Sequence, residues 1–481
     1  MSRSAGTKFV RVAVVLVGLL TLTAAGCDPQ SEQAGPSPSS SLPASAPSAT
    51  ATPAACRGSY ALPDPRRPVI VLTFALSADR RTVTGTESVR FTPDLPVTEM
   101  VFRMWPNGEG APDGTLMTVT QARVAGGGQF TTQSAGAKRG SQGTLLTIPL
   151  GRTNPAGQPI IADLAFTLRL PPPDFERWGS TGTTAWWASG HPLLAWERER
   201  GWQRQPAVRF PSEAAVSEAA SIDLTVTAPA ADTVLMSGPP DSPRTIDGGR
   251  RQWHSMSESA RDVSVSVGPF RTRSATVNGV RVIAGVSSEV RADLDQLLAQ
   301  TRRSINGLVA RFGPFPYPSL SIAALPGIGS GGIEFPAAIM VGASGWDTVV
   351  PHEVAHEYFY GMIGDNQARD PWLDEAFATY SEALVNDEVA SYLPELDRPG
   401  PVGSTMESWG DDQDGYYATI YGKGAAALLT ARQRAGAPAF DAALRCYVNE
   451  NAWDVATPDD IQRALAHLPA ALSVLRAARA L

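Results

Sequence analysis

The chain has 481 residues, of which 43% are hydrophobic and 18% charged, and its formal net charge is −7. A negative net charge without a basic run argues against nucleic acid as a partner. The length is sufficient for two domains of ordinary size.

The first 27 residues have the parts of a secretory signal. Lys8 and Arg11 supply positive charge, residues 10–22 form an apolar core, and small residues precede Cys27. Small residues directly before a cysteine resemble a bacterial lipoprotein box, so we expect a signal peptide over residues 1–26 and a lipid anchor on Cys27. Ordinary secretion, with Cys27 unmodified or lost, is the alternative. The apolar core is shorter than the roughly 20 residues of a spanning helix, and no later segment is long and apolar enough to cross a membrane.

Residues 27–58 are rich in Ser, Pro, Ala and Thr. Such a composition cannot bury a core, so it predicts an extended tether that holds the following domains clear of the membrane surface. Cys56 and Cys446 are the other two cysteines. In an oxidising compartment they could form a disulfide, or they could remain two separate buried thiols.

Residues 59–271 contain alternating or β-branched runs separated by Gly and Pro, which predicts an N-terminal antiparallel β sandwich or saddle. The predicted strands cover residues 69–74, 82–91, 145–148, 161–170 and 220–227.

Residues 272–481 change to a mixed pattern. Residues 287–312 have helical periodicity, residues 318–325 form a predicted strand, and two final helices are predicted at 458–467 and 472–481. The predicted fold class is therefore α+β with more than one domain.

The run Pro351-His-Glu-Val-Ala-His356 carries the strongest chemical signal. Residues four apart lie on one face of a helix, so His352 and His356 can bind one cation while Glu353 reaches a water on it. An ordinary amphipathic helix that carries this pattern by chance is the alternative.

Eighteen residues separate His356 from Glu375, and Gly361 and Gly364 lie between them. This turn chemistry predicts a reversal into a second helix, with Asp370 as N-cap and Pro371 as first helical residue. Glu375 would then return as a third ligand. Two histidines and one carboxylate leave a position for water, which is the pattern of a catalytic zinc site.

These motifs resemble the gluzincin aminopeptidases typified by aminopeptidase N. The family has Gly-x-Met-Glu-Asn upstream of the zinc helix, where this chain has Gly331-Gly-Ile-Glu-Phe-Pro336, and Tyr-Glu-Lys-Gly where this chain has Tyr421-Gly-Lys-Gly424. The resemblance is strong from about residue 273 onwards and weaker over the N-terminal half. It implies a thermolysin-like catalytic domain over residues 272–481 that binds one zinc ion per chain.

Peptide hydrolysis by zinc needs a base that accepts the proton of the water, and Glu353 is placed for that role. The resemblance implies that the Tyr421 hydroxyl stabilises the oxyanion. Tyr416 and Tyr417 lie in the same run and are the alternatives for this role. With Tyr421 as the donor, Tyr416 is an auxiliary substrate contact.

The resemblance also implies that Glu334 binds the α-ammonium of the substrate, within a substrate-binding segment that contains Gly331 and Gly332. A plain edge strand and turn is the alternative for this Gly-rich run. Ile333 and Phe335 depart from the Met and Asn of the family, which leaves open what replaces the contacts of that Asn.

Asp374 and Glu382 flank the third ligand on the same predicted helix. Each could orient a metal ligand through a hydrogen bond, or each could be a solvated acid.

The sequence thus predicts a lipid-anchored zinc aminopeptidase on the extracytoplasmic face of a bacterial membrane, with peptides as substrates. Two alternatives stay open. One is an endopeptidase with an open site, because the family's large helical cover domain is not expected in this chain. The other is a non-catalytic lipoprotein that captures peptides. The oligomeric state is left undetermined.

Overall fold

The computed structural model describes residues 56–111, 114, 116–173, 177–208 and 216–481. The described residues belong to one compact unit. The predicted signal segment, the lipidation site Cys27 and almost all of the tether lie outside them. Within the described part of the chain, no helix combines the length and the apolar character that a membrane span requires.

The described residues before 270, called the β region below, form strands with short connections. The strands are β1 (Val69–Leu76), β2 (Thr82–Phe91), β3 (Val97–Arg103), β4 (Met117–Val124), β5 (Thr131–Gln133), β6 (Leu145–Asn154), β7 (Ile160–Arg169), β8 (Trp178–Ser180), β9 (Ala185–Ala188), β10 (Leu193–Leu194), β11 (Trp196–Glu197), β12 (Gly201–Trp202), β13 (Ala220–Pro229), β14 (Thr233–Met236), β15 (Arg244–Ile246), β16 (Arg250–Ala260) and β17 (Ser264–Gly268).

The largest sheet of the β region has the order β15-β16-β13-β1-β2-β7-β4. The β region also contains the hairpin β11-β12 and two four-stranded sheets, which have the orders β10-β3-β6-β5 and β14-β17-β9-β8. In β2 the side chains of Val83, Val89 and Phe91 are buried while alternate residues face outwards, as the period of two predicts.

One pair in this sheet differs from the predicted antiparallel arrangement. β1 and β13 run parallel, in register from Val69 opposite Ser221. The two strands are far apart in sequence, with β2 to β12 between them, so no hairpin connects them and nothing forces them to be antiparallel.

Residues 270–481, called the catalytic region below, contain a second set of strands and the long helices. The strands are β18 (Phe270–Val277), β19 (Val280–Ser287), β20 (Ser319–Ala324), β21 (Gly332–Ile333) and β22 (Ala338–Val341). The helices are α1 (Leu294–Phe312), α2 (Trp346–Ala355), α3 (Trp372–Asn386), α4 (Val389–Tyr392), α5 (Gln413–Tyr416), α6 (Gly424–Ala435), α7 (Ala437–Glu450), α8 (Pro458–Ala464) and α9 (Pro469–Ala477), with a π-helical segment Tyr417–Lys423 between α5 and α6.

The strands of the catalytic region form a mixed sheet with the order β18-β19-β20-β22-β21. β19, β20 and β22 are parallel, and β18 and β21 are antiparallel edges. Every residue of β20 is buried, as expected for a central strand covered on both faces. The predicted domain boundary between residues 271 and 272 falls inside β18, and the domain limits stay a prediction.

Helix α1 begins later than predicted. Residues 280–287 are strand β19, and the helix starts at Leu294, where the Asp293 side chain accepts hydrogen bonds from the backbone N–H groups of Asp295 and Gln296. This N-cap sets the start of the helix. The prediction of a helix from residue 287 was wrong because residues 280–287 pair with β18 and β20 in the mixed sheet.

A disulfide joins Cys56 to Cys446, with the two Cα atoms 5.2 Å apart. The structure therefore resolves the open question in favour of the paired cysteines. Nearby, Asn449 Nδ2 donates to the carbonyl of Arg57 at 2.6 Å, and the Ala61 N–H donates to the carbonyl of Asn449 at 2.7 Å. The start of the described chain is thus fastened to α7.

Candidate active site

Helix α2 presents the zinc motif despite a proline in its interior. Pro351 has no N–H to donate to the carbonyl of Asp347, and Asn386 Nδ2 donates to that carbonyl instead, at 2.8 Å. Helix α2 ends at Ala355, and His356 is its C-cap, with its backbone N–H donating to the carbonyl of His352 at 3.3 Å. The two histidines therefore lie one turn apart on the same face.

The reversal after α2 is supported by Arg261 of the β region. Its buried guanidinium donates to the carbonyls of Gly361, Met362 and Asp454 at 3.0–3.3 Å. A Cβ on Gly364 would lie 2.2 Å from this guanidinium, so a larger residue there would have to displace the Arg261 side chain. The predicted turn is present, but its main support comes from a residue that sequence reasoning missed, since no local pattern links Arg261 to the motif.

Helix α3 begins one residue later than predicted. Pro371 is the N-cap and Trp372 the first helical residue, and the Asp370 carboxylate accepts from Arg369 Nε at 2.7 Å instead of capping the helix. Glu375 lies in the first turn of α3 and is buried. The reversal brings it back beside the two histidines.

Three ligand atoms converge on one point. Glu375 Oε2 lies 3.2 Å from His352 Nε2 and 3.4 Å from His356 Nε2. These atoms all lie within 4.8 Å of one another, and a second group of Glu334, Glu353 and His356 meets the same limit. Two imidazole nitrogens and one carboxylate oxygen are the donor set of a catalytic zinc site, so the residues fit that metal.

The Nδ1 atom of each histidine also has a carboxylate partner. His356 Nδ1 donates to Asp374, whose other oxygen accepts from Gln367 Nε2 at 2.8 Å. His352 Nδ1 lies 3.3 Å from Glu382, which accepts from the Tyr392 hydroxyl at 2.6 Å. Both acids are buried, so the structure places them as partners of the histidines and not as solvated acids. Contacts of this kind fix the ring orientation and leave Nε2 to face the metal.

Tyr421 stands at the His352 side of the site. Its hydroxyl donates to Glu375 Oε1 at 2.5 Å, and its ring lies nearly parallel to the His352 ring, with centroids 5.7 Å apart. The π-helical segment that carries Tyr421 is a rare element that often occurs at functional sites. Tyr416 is fully buried with its ring centroid 5.6 Å from that of Tyr421, so a direct substrate contact by Tyr416 stays a prediction.

The Gly-rich segment lies over Glu353. A Cβ on Gly332 would be 2.5 Å from Glu353 Oε1, so the close approach of edge strand β21 requires glycine. Gly331 continues the strand pairing, because its carbonyl accepts from the Gly342 N–H at 2.9 Å. Glu334 follows β21 and is only 5% exposed. Among the described residues, no hydrogen-bond partner is present for Glu334 Oε1 or Glu353 Oε2.

Phe335 stands where the family has Asn, and it packs against apolar side chains. It is 1% exposed and belongs to an apolar cluster with Trp186 and Ala188 of β9 and with Ile333. The Arg177 guanidinium lies over its ring at 5.7 Å from the centroid, within cation–π range. The segment that carries Glu334 is thus held from the β region by apolar and cation–π contacts.

Glu357 is a further residue that sequence reasoning missed. Its buried carboxylate accepts from the Ala337 N–H at 2.9 Å, and Ala337 has a φ of 59° in the left-handed region. The residue after the second histidine therefore fastens the end of α2 to the turn that follows Glu334. The sequence signal for this contact was the position of Glu357 next to His356, because an acid buried there needs a hydrogen-bond partner.

The pKa values of the acids in the site are shifted in opposite directions. Burial raises the pKa of Glu334 to about 7 and that of Glu353 to about 8, although the charges of the neighbouring histidines oppose the shift. Burial also disfavours the charged form of Glu375, but His356 and His352 hold its pKa well below its usual value. A divalent cation at the histidines would favour the ionised form of all three acids.

Comparison with known proteins identifies the domain that carries this site. The model of the peptidase family M1 domain matches residues 312–477. The prediction of a gluzincin peptidase domain is confirmed.

Two curated relatives are similar to part of the chain. Aminopeptidase M1 of Arabidopsis thaliana is 24% identical over 183 residues, which cover 32% of this chain and 21% of the relative. Endoplasmic reticulum aminopeptidase 1 of Homo sapiens is 25% identical over 186 residues, which cover 32% of this chain and 20% of the relative. The similarity thus spans about a fifth of the length of these relatives.

Solved structures share the fold over both regions. An M1 zinc metallopeptidase from Deinococcus radiodurans is 20% identical, with a TM-score of 0.63 over 85% of this chain and 92% of that chain. A form of that protein bound to a Tyr-Ser-Ala substrate is 19% identical, with a TM-score of 0.63 over 86% and 94%. The α+β class with a β-rich N-terminal part is confirmed, and the predicted enzyme class and zinc cofactor agree with the family whose model matches residues 312–477.

Proposed function

We propose that the protein is a zinc-dependent aminopeptidase that removes N-terminal residues from peptides. The observation that carries this proposal is the position of Glu334. Its buried carboxylate lies in one group with the base Glu353 and the ligand His356, with oxygen and nitrogen atoms within 4.8 Å of one another. An acid that close to the metal can hold a free α-ammonium one residue from the scissile bond.

His352, His356 and Glu375 would hold the zinc ion, which when bound lowers the pKa of a water to near 7 and polarises the scissile carbonyl. Asp374 and Glu382 keep the histidine rings oriented through their Nδ1 atoms.

Glu353 moves the proton. Its Oε2 has no hydrogen-bond partner among the described residues and can accept the proton of the attacking water and pass it to the leaving amine. The close cover of Gly332 holds this carboxylate in place and excludes bulk water from one side.

Tyr421 donates to the carbonyl oxygen as negative charge develops there. In this structure its hydroxyl donates to Glu375 Oε1, so it would exchange that acceptor for the substrate oxygen. A donor that strengthens its bond only as charge develops lowers the barrier more than it tightens substrate binding.

The location of the protein is part of the proposal. The lipoprotein-like signal over residues 1–26 and Cys27 supports a lipid anchor at the extracytoplasmic face of a bacterial membrane. The disulfide Cys56–Cys446 supports an oxidising compartment. Secretion without the anchor is the alternative, and labelling with a radioactive fatty acid, lost in Cys27→Ala, distinguishes the two.

Metal analysis combined with Glu353→Gln tests the catalytic role. We expect the purified protein and the variant to bind one zinc ion each. The wild type should hydrolyse peptides with a free N-terminus, and the variant should lose about 10²–10⁴-fold in turnover because only the base is missing. An inactive wild type with full zinc would favour the peptide-capture alternative.

A further inference from the structure

Tyr417 is an unusual surface residue of the catalytic region. It is the one large hydrophobic side chain of residues 270–481 that is exposed, at 43%. An isolated exposed side chain of this kind is ordinary on a protein surface, and its position next to catalytic groups is what gives it weight.

Tyr417 packs directly against the proposed oxyanion donor. Its ring centroid lies 5.0 Å from that of Tyr421 and 5.4 Å from that of Tyr416. Gln413 Nε2 donates to its hydroxyl at 3.5 Å. The ring is therefore held by these neighbours, and its exposed part forms apolar surface beside Tyr421, whose hydroxyl donates to the proposed ligand Glu375.

The proposed function fixes which part of a substrate reaches this surface, and the inference rests on that function. With the α-ammonium at Glu334 and the scissile carbonyl between the metal and Tyr421, the Cα of the first residue is bonded directly to the carbonyl carbon. The Cα of the second residue is one bond further away, beyond the amide nitrogen. The side chain of the first residue is therefore attached closer to Tyr421 and to the Tyr417 ring than the side chain of the second residue.

We propose that Tyr417 is a wall of the subsite for the N-terminal side chain and makes the enzyme prefer large apolar and aromatic N-terminal residues. Burial of the exposed ring against such a side chain removes apolar surface from water on both partners. A small side chain leaves the ring exposed to water, and an acidic one loses hydration without gaining a partner.

Kinetics on tripeptides that differ only in the first residue test the proposal. With Phe, Leu, Ala or Lys before Ala-Gly, we expect the wild type to show a kcat/KM for Phe and Leu roughly tenfold above that for Ala. Tyr417→Ala and Tyr417→Gln should reduce the Phe-to-Ala ratio by about that factor, whereas Tyr417→Phe should keep it. Met256→Ala, at a residue of β16 that is 45% exposed, is the control and should change nothing. Zinc content is measured for each variant.

The outcomes separate this proposal from the function on which it rests. Absence of hydrolysis of all four peptides by the zinc-loaded wild type would reject the aminopeptidase function. Normal hydrolysis with an unchanged Phe-to-Ala ratio in the Ala and Gln variants would reject the role of Tyr417 alone. A preference for Lys that depends on Tyr417 would also reject the proposed role of Tyr417. A uniform loss on all four peptides would assign Tyr417 to support of Tyr421 and also overturn the proposal.

Discussion

The metal-binding side of the site lies within residues 352–382, whereas the substrate-binding side depends on the distant β region. The proposed ligands and the acids that hold them come from α2 and α3, which are adjacent in sequence and joined by one reversal. The Glu334 segment is held by Trp186 and Arg177, more than a hundred residues earlier in the chain. The proposed metal ligands are thus positioned by elements adjacent in sequence, and the proposed substrate-binding segment is positioned by tertiary contacts.

Loss of any ligand should have the largest effect on the metal-binding side. His352→Ala, His356→Ala and Glu375→Ala should each lose stoichiometric zinc and nearly all turnover, because two donors do not retain the ion. The fold should largely persist, since the sheets and the packed helices have their own core. Metal analysis and circular dichroism provide the measurement. Full zinc retention by all three variants would mean that the ion is bound elsewhere.

Tyr421→Phe should lower kcat by about 10²–10³-fold, with little change in KM, because the lost hydroxyl acts mainly as charge develops on the oxyanion. Tyr416→Phe serves as a matched control and should do less, since its ring is buried behind Tyr421. Steady-state kinetics of both variants give the answer. Equal activity of Tyr421→Phe and wild type would assign the oxyanion to another donor.

Asp374→Ala tests whether the acids behind the histidines belong to the metal-binding side. Loss of the acceptor at His356 Nδ1 should weaken zinc affinity by about 10–100-fold while the three ligands remain. Asp374→Asn retains an acceptor oxygen and should lose less. Competition with a zinc-binding dye measures both affinities, and identical affinities for wild type and Asp374→Ala would remove Asp374 from the site.

Arg261→Met tests the support from the β region and should act on stability. The change removes the Arg261 donor from the Gly361 carbonyl and one of two donors from the carbonyls of Met362 and Asp454, which also accept from the N–H groups of Trp453 and Gly364. It should cost about 1–3 kcal/mol of unfolding free energy. Arg271→Met is the control, since that exposed arginine also donates to one carbonyl. Urea unfolding curves compare the two variants. Equal midpoints would show that the reversal does not depend on Arg261.

The sequence predicted the parts of the structure that have a local cause. The alternation of β2 and the i, i+4 spacing of His352 and His356 each follow from the period of a single element. The return of Glu375 to the two histidines was predicted because turn residues and a proline mark the reversal before α3, and its role as third ligand stays a prediction.

The remaining features depend on contacts between elements far apart in sequence. Nothing near Arg261 indicates that it binds three carbonyls of the catalytic region, and nothing near Phe335 indicates Arg177 over its ring. The parallel pairing of β1 with β13 has the same origin. Asp370 failed as a predicted cap because its neighbour Arg369 binds the carboxylate, a competition that residue type alone does not reveal.

The most direct test of the account compares free and N-acetylated forms of one peptide with wild type and Glu334→Gln. The account predicts that acetylation abolishes turnover by the wild type, because the amide has no positive charge for Glu334 to bind. Glu334→Gln should raise KM and lower kcat for the free peptide together while zinc content stays at one ion per chain. Equal cleavage of the free and acetylated peptides by the wild type would contradict the aminopeptidase function and support an endopeptidase with an open site.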